Sequence, residues 1–230
     1  VVVAAGSEDR VVLILDNATI ASPAGAAIEA TTGDDLVLSL VGSSTVTDGS
    51  YAADAEANAA VYADMDLTIT GSGSLSVTSG ASDAITSKDD LYVASGTITA
   101  TASDDGLRGK DSLTIAGGEV AVASGGDALK SDQDSDETKG YVAITGGSVR
   151  AVADGDGIAA ETDAIITGGS VDITTGGGAA AGEPASGSAK GIKAGTYVLT
   201  GDSPTVTVDS GDDAIHSDGA LRLSGGTITA

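Results

Sequence analysis

The sequence predicts an all-β chain wound as a right-handed parallel β-helix, about 22 residues per coil with three short strands in each, and three observations carry that prediction. The first is self-similarity: phrases beginning at Asp83, Asp105, Asp127, Asp156, Lys190 and Asp213 are variants of one sentence, and the intervals 83 to 105 and 105 to 127 are both 22 residues. The second is alternation of apolar residues within each phrase. The third is that no unit holds a helical apolar pattern long enough to cover a sheet, so the inward Val, Ile and Leu are buried only by stacking coil on coil.

Within a unit the strands follow in order. Leu107 marks the first, Leu113 with Ile115 the second, and Val120 with Val122 the third. Gly-Gly, Gly-Asp and Ser-Gly pairs separate them, where a bend takes positive φ at low cost. The crossover rule sets the right hand. Longer intervals, 127 to 156 and 156 to 190, are explained by insertions at SDQDSDETKG and TGGGAAAGEPASGSAK, and two looser copies precede Asp83. Residues 1–230 read as a single domain. The stop at SGGTITA, partway through a unit, is taken as an incomplete C-terminal end whose open coil invites self-association.

The composition agrees. With no Phe, no Trp and five Tyr, the interior falls to Ala, Val, Ile and Leu, which suits inward positions repeating about 4.8 Å apart. A net charge of −24 opposes binding to nucleic acid or anionic membranes unless cations intervene. The chain has no cysteine, so it has neither disulfides nor thiolate metal sites. No stretch approaches the roughly 20 apolar residues of a membrane span, and VVVAA is too short for a signal peptide.

Stacking turns sequence columns into ladders. One column reads Asp83, Asp105, Asp127, Asp156, Lys190, Asp213, and the position before it adds Asp104 and Asp212. Carboxylates one coil apart repel by about 1 kcal/mol in water and about 3–4 kcal/mol at an effective dielectric near 20, so the column needs compensation. Three positions on lies a second column, Thr86, Arg108, Lys130, Ala159, Lys193 and His216, with Lys88 and Lys110 nearby. Six of the ten cationic side chains thus gather at one corner. They either neutralise the acids in a salt-bridge ladder or leave surplus carboxylates to hold Ca²⁺, with its six to eight oxygen ligands, while the cations face an anionic or hydroxyl-rich ligand.

Further calcium candidates are Asp132, Asp134, Asp136 and Glu137 in the first insertion, whose alternating spacing suits a calcium loop although the EF-hand Gly and Glu positions are missing, and Asp154 with Asp156. Tyr62 falls in the cationic column, and Tyr92 and Tyr141 flank inward strand residues, which makes all three candidates for stacking on sugar. His216 is the only histidine, so no histidine zinc site exists.

The phrases DDGLRGKDSLTI, GGDALKSDQDSDETKGYVAITGGSV, GDGIAAETDAIITGGSVDITTGGG, SAKGIKAG and DDAIHSDGALRLSGGTI, in this order, resemble the bacterial carbohydrate-binding β-helix family first described from cellulolytic clostridia. The resemblance implies a pectate-lyase-like shape, a place outside the cell or at its surface, bound calcium, and binding of cellulose or polygalacturonate rather than cleavage. It implies Asp83, Asp104, Asp105, Asp127, Asp156, Asp212 and Asp213 as calcium ligands. The expected function is therefore calcium-dependent polysaccharide binding, with Arg108, Lys110, Lys130, Lys193 and His216 on the ligand side. Two alternatives stay open: a cell-surface stalk or filament subunit stiffened by calcium, and a polysaccharide lyase with Arg108 as base.

Overall fold

The computed structural model describes every residue except Ala53. Among the described residues lie 27 strands, which form three nine-stranded parallel sheets. Successive strands fall in the first, second and third sheet in turn, so each circuit adds one strand to every sheet: a three-sided β-solenoid. No helix is long and apolar enough to cross a membrane.

The predicted columns are in register. In the first sheet Tyr62, Thr86, Arg108, Lys130, Ala159, Lys193 and His216 are consecutive partners. The pitch is 22 residues from Ile85 to Leu107 and from Leu107 to Leu129, then 29 to Ile158 and 34 to Ile192. Insertions leave at the corners and return to the same register, which raises the mean to roughly 25 residues per coil.

Inward positions stack like on like: Ile85, Leu107, Leu129, Ile158 and Ile192 form one wholly buried file, and Leu75, Ile98, Val120, Val149 and Val171 another. Each such side chain contributes about 1.5–3 kcal/mol of burial, and the files join in one continuous core.

The residue just before each inward Ile or Leu of the first sheet is Ala or Gly (Ala84, Gly106, Ala128, Gly157, Gly191, Ala214), and the two are not interchangeable. Ala128 is buried and keeps its methyl, but a Cβ on Gly157 would lie 2.3 Å from Ile173 Cγ2 and 2.6 Å from the Gly191 carbonyl oxygen. Gly157→Ala is therefore expected to cost about 1–3 kcal/mol by overpacking, read as a thermal midpoint several degrees lower in circular dichroism. An unchanged midpoint would mean the coil relaxes freely there.

Candidate functional site

The acidic column lies where the chain turns from the third sheet into the first. Asp83 opens the strand Asp83–Ser87, and Asp105, Asp127 and Asp156 stand two residues before the strands Leu107–Gly109, Leu129–Ser131 and Ile158–Ala160. Each carboxylate reaches to the next coil. Asp83 Oδ1 accepts the backbone N–H of Asp105 (3.1 Å), Asp105 Oδ1 that of Asp127 (2.8 Å), Asp127 Oδ1 that of Asp156 (2.8 Å), and Asp156 Oδ1 that of Lys190 (2.8 Å). Aspartate recurs there because it is short enough to clamp a backbone donor one coil along, and a hydrogen bond to a charged acceptor contributes about 1.5–3 kcal/mol. The run ends at Lys190, which has no carboxylate to offer; there Asp212 Oδ1 instead accepts the N–H of Asp213, and Asp212 Oδ2 takes the Lys190 ammonium.

The second oxygen of each ladder aspartate meets a cation. Lys130 Nζ bridges Asp105 (2.9 Å) and Asp127 (3.1 Å), Lys193 Nζ lies 3.5 Å from Asp156, and Arg108 Nη1 lies 3.8 Å from Asp83 while its Nη2 holds Asp132 at 2.6 Å. Burial works against the Lys130 ammonium, but Asp105 and Asp127 outweigh it and hold its pKa above the ordinary lysine value. Salt-bridge compensation is thus a real part of this corner. It is incomplete at Asp83, whose carboxyl is 1% exposed and depends on Thr86 and Asn58 for its nearer partners, both at 3.0 Å. Burial, and next the charge of Asp105, push the Asp83 pKa up to about 6. Burial also raises Asp105, against the pull of Lys130.

Asp83, Asp104 and Asp105 converge: one oxygen from each lies within 4.8 Å of the others. Glycine makes room for them, since a Cβ on Gly126 would stand 2.6 Å from Asp105 Oδ1 and 2.7 Å from Asp104 Oδ1. Among the described residues no other three acidic or histidine side chains come together so closely. Asp132, Asp134, Asp136 and Glu137 do not: Asp132 pairs with Arg108, and Asp136 Oδ1 accepts both the N–H and the hydroxyl of Thr138 in a local turn. Alternating spacing in an excursion aims side chains apart, whereas the same residue type in successive coils is stacked. Asp154 is exposed beside buried Asp156, and Asp213 faces His216, which sits between Asp213 and Asp218 at 3.1 and 3.0 Å.

Three sequence candidates occupy other places than expected. Lys88 and Lys110 follow the short first-sheet strands, so they stand at the next corner, across the sheet from the aspartate ladder. Tyr62 is 2% exposed and presents no ring face; its hydroxyl is buried without a protein partner among the described residues, and burial pushes its pKa up to about 12. Tyr92 and Tyr141 lie on the outer face of the second sheet, in a groove of about 370 Å³. That groove also contains Asp35, Asp66 and Asp90, which the sequence analysis missed; the dipeptide Asp-Leu repeated at 35, 66 and 90 was the available signal. Between Lys130 and Lys193 the small Ala159 leaves a second hollow of about 180 Å³, bordered by Asp127 and Glu161.

Fold and corner together define a repeat protein that presents ladders of equivalent side chains on a parallel β-solenoid. The chain belongs to the family of carbohydrate-binding domain-containing proteins, whose model matches residues 1–230. Among solved structures it is similar to the polysaccharide lyase-like protein from C. thermocellum, determined as a gadolinium derivative, with a TM-score of 0.72 and 26% identity over 98% of this chain and 81% of that one. No curated protein matches the chain.

Proposed function

We propose that this protein is an extracellular polysaccharide-binding module rather than an enzyme, that the corner of Asp83, Asp104 and Asp105 takes a calcium ion, and that the ion joins the chain to acidic glycans such as polygalacturonate. The observation that carries the reading is the convergence of these three carboxylates within 4.8 Å, in a family of carbohydrate-binding proteins. Calcium favours such a set of hard oxygen donors, and the poorly compensated charge at Asp83 is what a divalent ion would relieve.

Binding is favoured over cleavage because Arg108, the residue a lyase would use as base, is held charged. Burial opposes that charge, yet Asp132, Asp83 and Asp105 raise the pKa above the ordinary arginine value. Lys193, with 44% of its side chain exposed and a long contact to Asp156, is the cation best placed to meet a uronate at the Ala159 hollow.

Two measurements test this. Calcium titration by calorimetry is expected to show binding that weakens about 10–100-fold in Asp104→Ala, an exposed residue whose loss spares the ladder bonds. Retention on polygalacturonate is expected to fall with chelator and in Lys193→Ala. Equal retention with and without chelator would remove calcium from the recognition step.

A further inference from the structure

The outer face of the second sheet is built from two parallel files. One runs Asp35, Asp66, Asp90, Ser112, Tyr141; the other runs Val37, Thr68, Tyr92, Thr114, Ala143. Asp90 continues the first file as the coil neighbour of Asp66, whose Oδ1 accepts the Asp90 backbone N–H at 3.1 Å. The tyrosines are the only large side chains in these stretches, and each stands among Ser, Thr or Asp. They are offset by two coils along the axis and two residues across it, roughly 10 Å by roughly 7 Å at ordinary strand spacings. The short side chains between them form the floor of the groove of about 370 Å³, a volume in the range of small-ligand clefts. Tyr92 is 42% exposed on its flank.

The polar groups of this groove select its ligand. Asp90 Oδ1 accepts the Ser112 hydroxyl at 2.7 Å, which occupies one oxygen as the Asp90 N–H does for Asp66. The second oxygen of Asp66 and of Asp90 accepts no bond from the protein among the described residues, and at Asp35, where Oδ2 takes the Arg10 Nε–H at 2.9 Å, Oδ1 is buried with no partner. Arg10, paired with Asp35 at one end, is the one cation bridged to a groove carboxylate among the described residues, and Asp66 and Asp90 have none. A uronate would therefore be repelled by like charge, whereas a neutral sugar offers several O–H donors to unpaired acceptors and an apolar C–H face to a tyrosine ring. Nor does the groove suit a metal, since its carboxylate oxygens do not converge as those of Asp83, Asp104 and Asp105 do.

We propose that this groove is a second, calcium-independent binding site, specific for neutral glycan chains, with Tyr92 and Tyr141 stacking on sugar rings about a disaccharide apart and Asp35, Asp66 and Asp90 accepting hydroxyl hydrogen bonds. The inference rests on the carbohydrate-binding reading but uses a different face from the calcium corner, and the two fail separately.

The test is calorimetric titration of the whole chain with a soluble cello-oligosaccharide in the presence of chelator. Tyr92→Thr and Tyr141→Ser adopt residue types already present in the same files at Thr68, Thr114 and Ser112, so the strands are kept, and an unchanged melting profile verifies it. Each is expected to weaken the oligosaccharide about tenfold, the double variant to abolish detectable binding, and neither to alter polygalacturonate retention in calcium. Lys193→Ala is expected to do the reverse. Binding of the oligosaccharide that survives the double tyrosine variant, that requires calcium, or that is absent from the parent chain overturns the proposal; a parent chain that binds the oligosaccharide but is not retained on polygalacturonate in calcium overturns only the calcium-corner reading.

Discussion

Replacing Asp105 by Ala is expected to destabilise the solenoid by about 2–4 kcal/mol, the largest effect of any single corner substitution. Asp105 is 5% exposed and holds the next coil at two points, accepting the Asp127 N–H and the Lys130 ammonium. Deleting one partner of a buried pair costs about 3–5 kcal/mol, because the donors left behind stay desolvated. Some of that returns. Asp105 is the second cause, after burial, of the raised Asp83 pKa, and the whole rise from 3.8 to about 6 is worth roughly 3 kcal/mol. The share due to Asp105 is the smaller one, since burial is the larger cause. For a chain of this size the net loss lowers the thermal midpoint by roughly 5–15 °C. Asp104→Ala, one residue away and exposed, is expected to stay within about 0.5 kcal/mol of the parent. Equal melting of the two variants would show that the ladder bonds carry no stability.

The second large effect is a pH dependence opposite to that of most acidic proteins. In the folded chain Asp83 titrates near 6, above its ordinary value of 3.8, so the folded state holds the proton more tightly than the unfolded one. Between those values the native state binds more protons, and stability falls as pH rises. Without divalent cations the chain is expected to lose about 2 kcal/mol between pH 4 and pH 6.5 from Asp83, with Asp105, Asp35 and Asp66 adding in the same direction because burial raises each of them first of all. Asp111 and Asp212 lie below the ordinary value. Burial opposes the lowering at Asp111, but Gln133 and Lys139 prevail; Lys190 dominates at Asp212. Their contribution is lost only as pH drops below about 4, a separate window. Millimolar calcium is expected to flatten the slope due to Asp83 and Asp105 but not that of Asp35 and Asp66 on the other face. Asp83→Asn should remove both the slope from that residue and its calcium response. A midpoint that climbs from pH 4 to pH 6.5 in chelator would contradict the account.

The solenoid and its corner were legible because a repeat protein reuses one local solution. The 22-residue interval, the Leu and Ile files and the column from Thr86 to His216 all appear as string similarity, and parallel pairing preserves that order in space. Insertions did not blur it, since each leaves at a corner. The convergence of Asp83, Asp104 and Asp105 was readable for the same reason: residues at one repeat position, and their immediate neighbours, are stacked by the fold.

What composition and period could not decide was direction and company. Lys110 counts as a neighbour of Arg108 along the string, yet a strand of three residues carries it to the opposite corner. Tyr62 shares the cationic column but is covered, and the acids of the first insertion turn to Arg108 and Thr138 instead of to one another. The aspartate ladder itself is held by backbone N–H groups, which every sequence contains and none announces. Sequence alone determined that this chain stacks and which residues share a column, because periodic burial leaves no other way to cover its apolar residues. Only the tertiary structure decided which oxygens remain free, since that depends on distances of a few ångströms between groups far apart in the chain.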